Sequence, residues 1–249
     1  MGGGAFLRRV ELRRSAVPAF DRYPFCLPVV RGLEVLELHP QVTFLIGENG
    51  SGKSTLLEAL AVSLGFNAEG GSRNFAFATR ASHSELHEFL LVARGPTRPR
   101  TGFFLRAESF FNVATEVERI GVADAYGARA LHEQSHGEAF LSLFLHRFQE
   151  RGLYLLDEPE AALSPQRQLA VLARLHQLVQ GGAQFVIATH SPILMAYPFA
   201  AIWHCGDRGL ERVDYRDTEH YRVTRGFLSD PEGVLRLLLA PDDDPHDRA

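Results

Sequence analysis

Eight consecutive residues constrain this chain more than any others: Gly47, Glu48, Asn49, Gly50, Ser51, Gly52, Lys53 and Ser54. They follow the apolar run QVTFLI and precede a stretch in which Leu56, Leu57, Leu60 and Leu64 recur at helical spacing. The run reads as a strand buried on both faces, and the leucines as a helix that stops at Gly65. Strand, glycine loop and helix in that order give the pattern G-x-x-x-x-G-K-S/T the context that it requires. Glycines let successive backbone N–H groups turn toward one point, and the helix N-terminus adds a favourable dipole, so the loop suits phosphate oxygens. Glu48, Asn49, Gly50, Ser51, Gly52, Lys53, Ser54 and Thr55 would form the cradle, with Lys53 reaching the terminal phosphates and the Ser54 hydroxyl offered to Mg2+. Composition matters at one of these positions: of 26 basic side chains, 25 are arginine and Lys53 is the single lysine. Position 53 therefore calls for a compact ammonium that a planar guanidinium does not imitate.

Two later strand ends bring further chemistry. The run LYLL delivers Asp157, Glu158 and Pro159, so Asp157 is a candidate Mg2+ ligand and Glu158 a candidate general base for an attacking water. The next apolar strand ends at Thr189, His190, Ser191 and Pro192. The chain has 11 histidines, and only its place beside the two motifs singles out His190, from where an imidazole can reach a γ-phosphate and the lytic water.

Around these motifs, strands and helices alternate. Residues 7–14 and 33–38 read as half-buried strands, 101–107 and 153–156 as strands, and 138–151 as a helix. Residues 165–180 read as a helix opening at Ser164 and Pro165, 184–188 as a buried strand, and 201–205 with 211–215 as a hairpin. Residues 82–94 fit helix or strand. The expected fold is an α/β domain over residues 1–240, a mostly parallel central sheet flanked by helices with an N-terminal antiparallel β portion. Residues 66–134 are expected to form an inserted lobe or arm, and 241–249 an acidic, disordered tail.

Several function classes are excluded or left open by the same reading. No apolar stretch is long enough to span a bilayer, MGGGAFLRRV lacks the apolar core of a signal peptide, and Phe6 stands where a myristoylation motif wants Ser or Thr. A soluble, cytoplasmic protein without membrane insertion is expected, with Cys26 and Cys205 as free thiols. The formal charge of −4 argues against a strongly cationic nucleic-acid coat. Arg8, Arg9, Arg13, Arg14, Arg98 and Arg100 fit either phosphate contacts or solvated faces.

The order of motifs resembles the ABC class of ATPases. After GENGSGKS come Ser135, His136, Gly137 and Glu138, then DEP, the stretch 160–164 and His190. The resemblance implies an ATPase, with ATP and Mg2+ as cofactors, that forms an ATP-dependent homodimer around two nucleotides. Ser135, Gly137 and Glu138 would act as the signature in trans, and residues 160–164 would cross the dimer interface. It further implies a polar residue coupling the lobes through the metal, for which Glu108 is the candidate, and an adenine-stacking aromatic, for which Tyr23 and Phe25 compete with roles in packing. SHGE stands where transporters carry LSGGQ, and with DEPEAALSP and ATHSP it is more similar to the RecF, SMC and OLD branch. LRRVEL, GGSRNF, FFLRAESFF and EHYRVTRGFL extend the likeness to compact stand-alone ATPases of that kind. The expected work is coupling hydrolysis to an effector or to DNA, in repair or phage defence. A slow nucleotide-gated switch and a transporter subunit are the alternatives.

Overall fold

The computed structural model describes residues 4–72, 84–106 and 136–240. A six-stranded sheet runs in the order β5 (Thr101–Arg106), β6 (Gly152–Asp157), β7 (Gln184–Ala188), β3 (Val42–Ile46), β8 (Ala200–Gly206), β9 (Gly209–Val213). All its pairings are parallel except the closing β8–β9 hairpin. A second sheet of three antiparallel strands has β1 (Leu7–Leu12) between β2 (Val35–Glu37) and β4 (Leu90–Arg94). The expected α/β class, parallel centre and N-terminal antiparallel portion are all present. The 82–94 ambiguity resolves into a 3-10 turn, Glu85–Phe89, followed by β4. Residues 107–134 of the expected arm and the tail 241–249 lie outside the described residues.

Side chains alternate through the main sheet into two cores, as a period of two dictates. Phe103, Leu105, Tyr154, Leu156, Phe185 and Ile187 enter one core; Phe104, Leu153, Leu155, Val186 and Ala188 enter the other. The first core is closed by α3 (His136–His146) and α4 (Pro165–Gln180), the latter presenting Val171, Leu175, Leu178 and Val179 at helical spacing. The second is closed by α2 (Lys53–Ser63), the turn α1 (Pro28–Arg31) and the three-stranded sheet. Tyr154 stacks on Phe148 at 4.1 Å between centroids, and its hydroxyl bonds both the N–H and the carbonyl of Gln149. Ser164 caps α4 as its residue type predicts, accepting from Arg167 N.

One polar side chain joins the two sheets. Gln184, at the buried start of β7, accepts from Phe6 N and Leu7 N at 3.0 and 2.9 Å and donates to Leu7 O and His39 O at 2.8 and 2.9 Å. The loose alternation of residues 7–14 also has a cause: a register shift between Leu7 and Arg9 leaves both Arg8 and Arg9 exposed, and the strand ends at Leu12. The turn α5 (Pro192–Met195) follows β7, and α6 (Glu219–Ser229) and α7 (Pro231–Leu238) follow β9. No helix among the described residues is long and apolar enough to cross a membrane.

Candidate functional site

The loop after β3 closes over Lys53. Gly47 has φ +139, and a Cβ there would come within 2.3 Å of the Cys205 carbonyl oxygen on β8, so the close approach of loop to strand needs glycine. Gly52 caps α2, and Lys53, only 4% exposed, donates from Nζ to the carbonyls of Gly47 and Glu48 at 2.7 Å each. Burial lowers the Lys53 pKa, while Cys205, Glu158, Asp157 and Glu160 work in the opposite direction. Glu48, Asn49 and Gly50 are exposed on the rim of the loop, and Ser51 is buried beneath it. A cleft of about 390 Å3 lies over Glu48, Asn49, Gly50 and Ser51 and reaches Asp207.

β6 runs beside β5 and β7 and carries the carboxylates to this loop. Ser54 Oγ donates to Asp157 Oδ1 at 2.9 Å, so the two candidate metal ligands are adjacent. Hydroxyl and carboxylate oxygens are hard donors of the kind Mg2+ takes, with water and phosphate oxygens completing the shell. The described residues hold no cluster of three His, Cys, Asp or Glu able to bind a metal alone. The Ser54 hydroxyl and Asp157 carboxylate supply two such donors. Arg106, at the end of β5, lies 3.7 Å from Asp157 Oδ2 through Nε and pairs with Glu58 through Nη1. That arginine was not among the predicted site residues; Glu108, the predicted one at this strand end, lies outside the described residues.

Immediately after Asp157 the backbone turns sharply. Glu158 has φ +50 and ψ +51, a left-handed conformation that costs a non-glycine residue about 1 kcal/mol. Its N–H still bonds Ala188 O, and its side chain lies 3.7 Å from His190 Nε2. Of the two non-glycine residues with positive φ among the described residues, Arg151 and Glu158, the second faces the site. Glu160, half-buried two residues on, accepts from the His190 N–H at 2.5 Å; desolvation raises its carboxyl pKa despite that bond. His190 is held below the usual histidine value first by burial and then by Lys53. Its Nδ1 meets His220 Nε2 at 3.3 Å, and a second cleft of about 510 Å3 joins Gly47, Asn49, His190, His204 and His220. The sequence shows no sign of a role for His220, and it places Glu160 only in the segment 160–164 expected at a dimer interface, not beside His190.

The remaining predicted residues divide. Gly137 and Glu138 begin α3, where Gly137 packs so closely that a Cβ would meet Ala162 O at 2.5 Å, and Glu138 pairs with Arg167 at 3.3 Å. Ser135 lies outside the described residues. Phe25 is fully buried and meets Phe89 edge-on at 4.9 Å, which makes it a core residue, whereas Tyr23 is 61% exposed. Three of the arginines have intramolecular partners: Arg9 pairs with Glu11, Arg13 bonds Glu88 O, and Arg14 bonds Arg31 O and lies over Phe20.

Known sequences match both halves of the site. The family described as "AAA domain" matches residues 25–127, and that described as "AAA domain, putative AbiEii toxin, Type IV TA system" matches residues 123–196. The chain is 31% identical over 218 residues to the thiamine import ATP-binding protein ThiQ of Cereibacter sphaeroides, covering 79% of this chain and 87% of that one. It is 32% identical over 187 residues to the hemin import ATP-binding protein HmuV of Streptomyces coelicolor, covering 68% and 66%. Among solved structures, the SMC head domain from Thermotoga maritima aligns at 15% identity with a TM-score of 0.46, covering 83% of this chain and 98% of that one.

Proposed function

Since this chain belongs to the P-loop ATPases of the AAA/ABC type, we propose that it binds MgATP in the loop 47–54 and hydrolyses it with Glu158 as general base. The observation that carries this reading is the convergence of Lys53, the Ser54–Asp157 contact and the Glu158–His190 pair at one end of a parallel sheet. Mg2+, held by Ser54 and Asp157, would supply charge neutralisation to the phosphates. The chain's own residues do the rest. Backbone N–H groups of the loop and the Lys53 ammonium, released from its two carbonyls, bind and orient the phosphates. Glu158 takes the proton of the attacking water, and His190 holds both the carboxylate and the terminal phosphate in register.

The resemblance in motif order supports a homodimer in which Ser135, Gly137 and Glu138 complete the partner's site and Glu108 completes the metal site; within one chain, Gly137 and Glu138 pack at the start of α3 against Ala162 and Arg167. SHGE in place of LSGGQ favours a cytoplasmic, stand-alone engine that works on an effector or on DNA. Glu158→Gln tests this directly: the variant should hold ATP without hydrolysing it and double its mass by light scattering with MgATP. A variant that turns ATP over at the wild-type rate removes Glu158 from the base role.

A second reading is favoured by the relatives themselves, two of which are import ATP-binding proteins by name. On it, the chain is the nucleotide-binding subunit of a membrane complex. Its recovery from membranes with a hydrophobic partner would support that reading; ATP-dependent, salt-sensitive DNA binding by the isolated dimer would support the first.

A further inference from the structure

α6 begins directly beside the loop that carries His190. Thr218 caps its first turn, Oγ1 accepting from Tyr221 N at 3.2 Å, and so fixes the position of the residues between them. His220, in that turn, brings Nε2 to 3.3 Å from His190 Nδ1, and His190 Nε2 in turn stands 3.7 Å from Glu158 Oε1. Three side chains therefore lie in a row from the C-terminal helix to the attacking side of the site. Glu160 from the 3-10 turn, Lys53 from the loop, Glu219 from the same helix and His204 from β8 surround them.

Burial lowers the pKa of both imidazoles, so each is neutral and carries one N–H and one lone pair. Their tautomers are then linked. As the general base of the proposed reaction Glu158 accepts, so the group that faces it across 3.7 Å, too far for a direct hydrogen bond, is best the N–H of His190 Nε2. Nδ1 of His190 is left as an acceptor, so the hydrogen in the contact between the rings comes from His220 Nε2. His220 Nδ1 keeps the remaining lone pair; it and His190 Nε2, which faces the site, are both buried atoms with no hydrogen-bond partner among the described residues. The reverse assignment would aim a lone pair of His190 at a carboxylate.

We propose that His220 is a positioning residue for the hydrolysis, donating from Nε2 to His190 Nδ1 and so fixing the tautomer and ring orientation that present the His190 Nε2–H to the site. This rests on the reading of Glu158 and His190 given above. It extends to an unassigned residue the rule that the partner of an imidazole's far nitrogen decides what its near nitrogen can do.

The test uses the full chain labelled with 15N-histidine, with the His190 signals assigned through His190→Asn. In the wild type, His190 should be protonated at Nε2 and not at Nδ1. His220→Phe keeps a ring without the donor; it should leave His190 in a mixture of tautomers and lower turnover about 10- to 100-fold, the usual loss when an orienting partner is removed. ATP binding and melting temperature should stay near wild type. His220→Gln, which keeps an N–H at similar reach, should restore the tautomer and most of the turnover. A wild-type His190 protonated at Nδ1 overturns the proposal whether or not the variants fold. So does His220→Phe turnover at the wild-type rate while Glu158→Gln is inactive, an outcome that leaves the base in place. Wild-type turnover by Glu158→Gln overturns the underlying reading instead.

Discussion

Lys53 sits in a closed setting, its Nζ donating to two backbone carbonyls that phosphate oxygens would replace in the proposed complex. A point charge with three rotatable donors can exchange carbonyls for phosphate without moving the loop, which a rigid guanidinium fork cannot do. The loop's other near neighbour is Cys205, whose thiol burial pushes up to about 12, whereas Cys26 is exposed. Thiol reagents at mildly alkaline pH should accordingly label one cysteine per native chain, Cys26, and both after denaturation; native labelling of Cys205 would contradict the packing of β8 against the loop. At this scale the sequence was most informative. Lys53, Ser54, Asp157, Glu158 and His190 are singled out by residue type and order because each stands at a strand end or helix start, and the fold brings them together. Arg106, Glu160 and His220 escaped because their roles come from tertiary proximity, and a lone Arg, Glu or His carries no local signal of it.

Among elements, the junction of the two sheets and the start of α6 carry the clearest consequences. Gln184→Leu fills the same space but strands two N–H groups and two carbonyls, and should cost about 3 kcal/mol or more in chemical denaturation. A loss within a few tenths of a kcal/mol would show that the sheets are held together otherwise. The histidine pair predicts a pH dependence. Both native pKa values lie below the ordinary 6.5, so below that pH the unfolded chain binds protons that the native pair refuses. Stability from this source is complete above about 6.5 and is lost as the pH falls through the lowered native values. Glu160, raised by burial, acts in the opposite sense, and comparison with a variant cancels it. The fall in melting temperature on acidification should be shallower in His220→Gln than in the wild type. Neither α6 nor α7 was anticipated, since their apolar side chains, Val223, Phe227, Leu228 and Leu235 among them, are exposed rather than turned into a core. The signals that would have found them are caps: Thr218 before α6, and Asp230 with Pro231 before α7.

For the whole molecule, continuous apolar runs and strand-helix order made the α/β architecture legible, because each central strand supplies side chains to both cores and so has no polar face. The partner and the process were not legible, since a phosphate-binding engine has the same internal chemistry whatever it drives. What holds the account together is the claim that loop 47–54 is the site of ATP turnover and that its single lysine is indispensable there. Phosphate release from MgATP by purified wild-type protein and Lys53→Arg, with circular dichroism confirming that both are folded, tests that claim most directly. The wild type should hydrolyse ATP and the variant should be slower by about 100-fold or more; a folded Lys53→Arg protein releasing phosphate at the wild-type rate would contradict it.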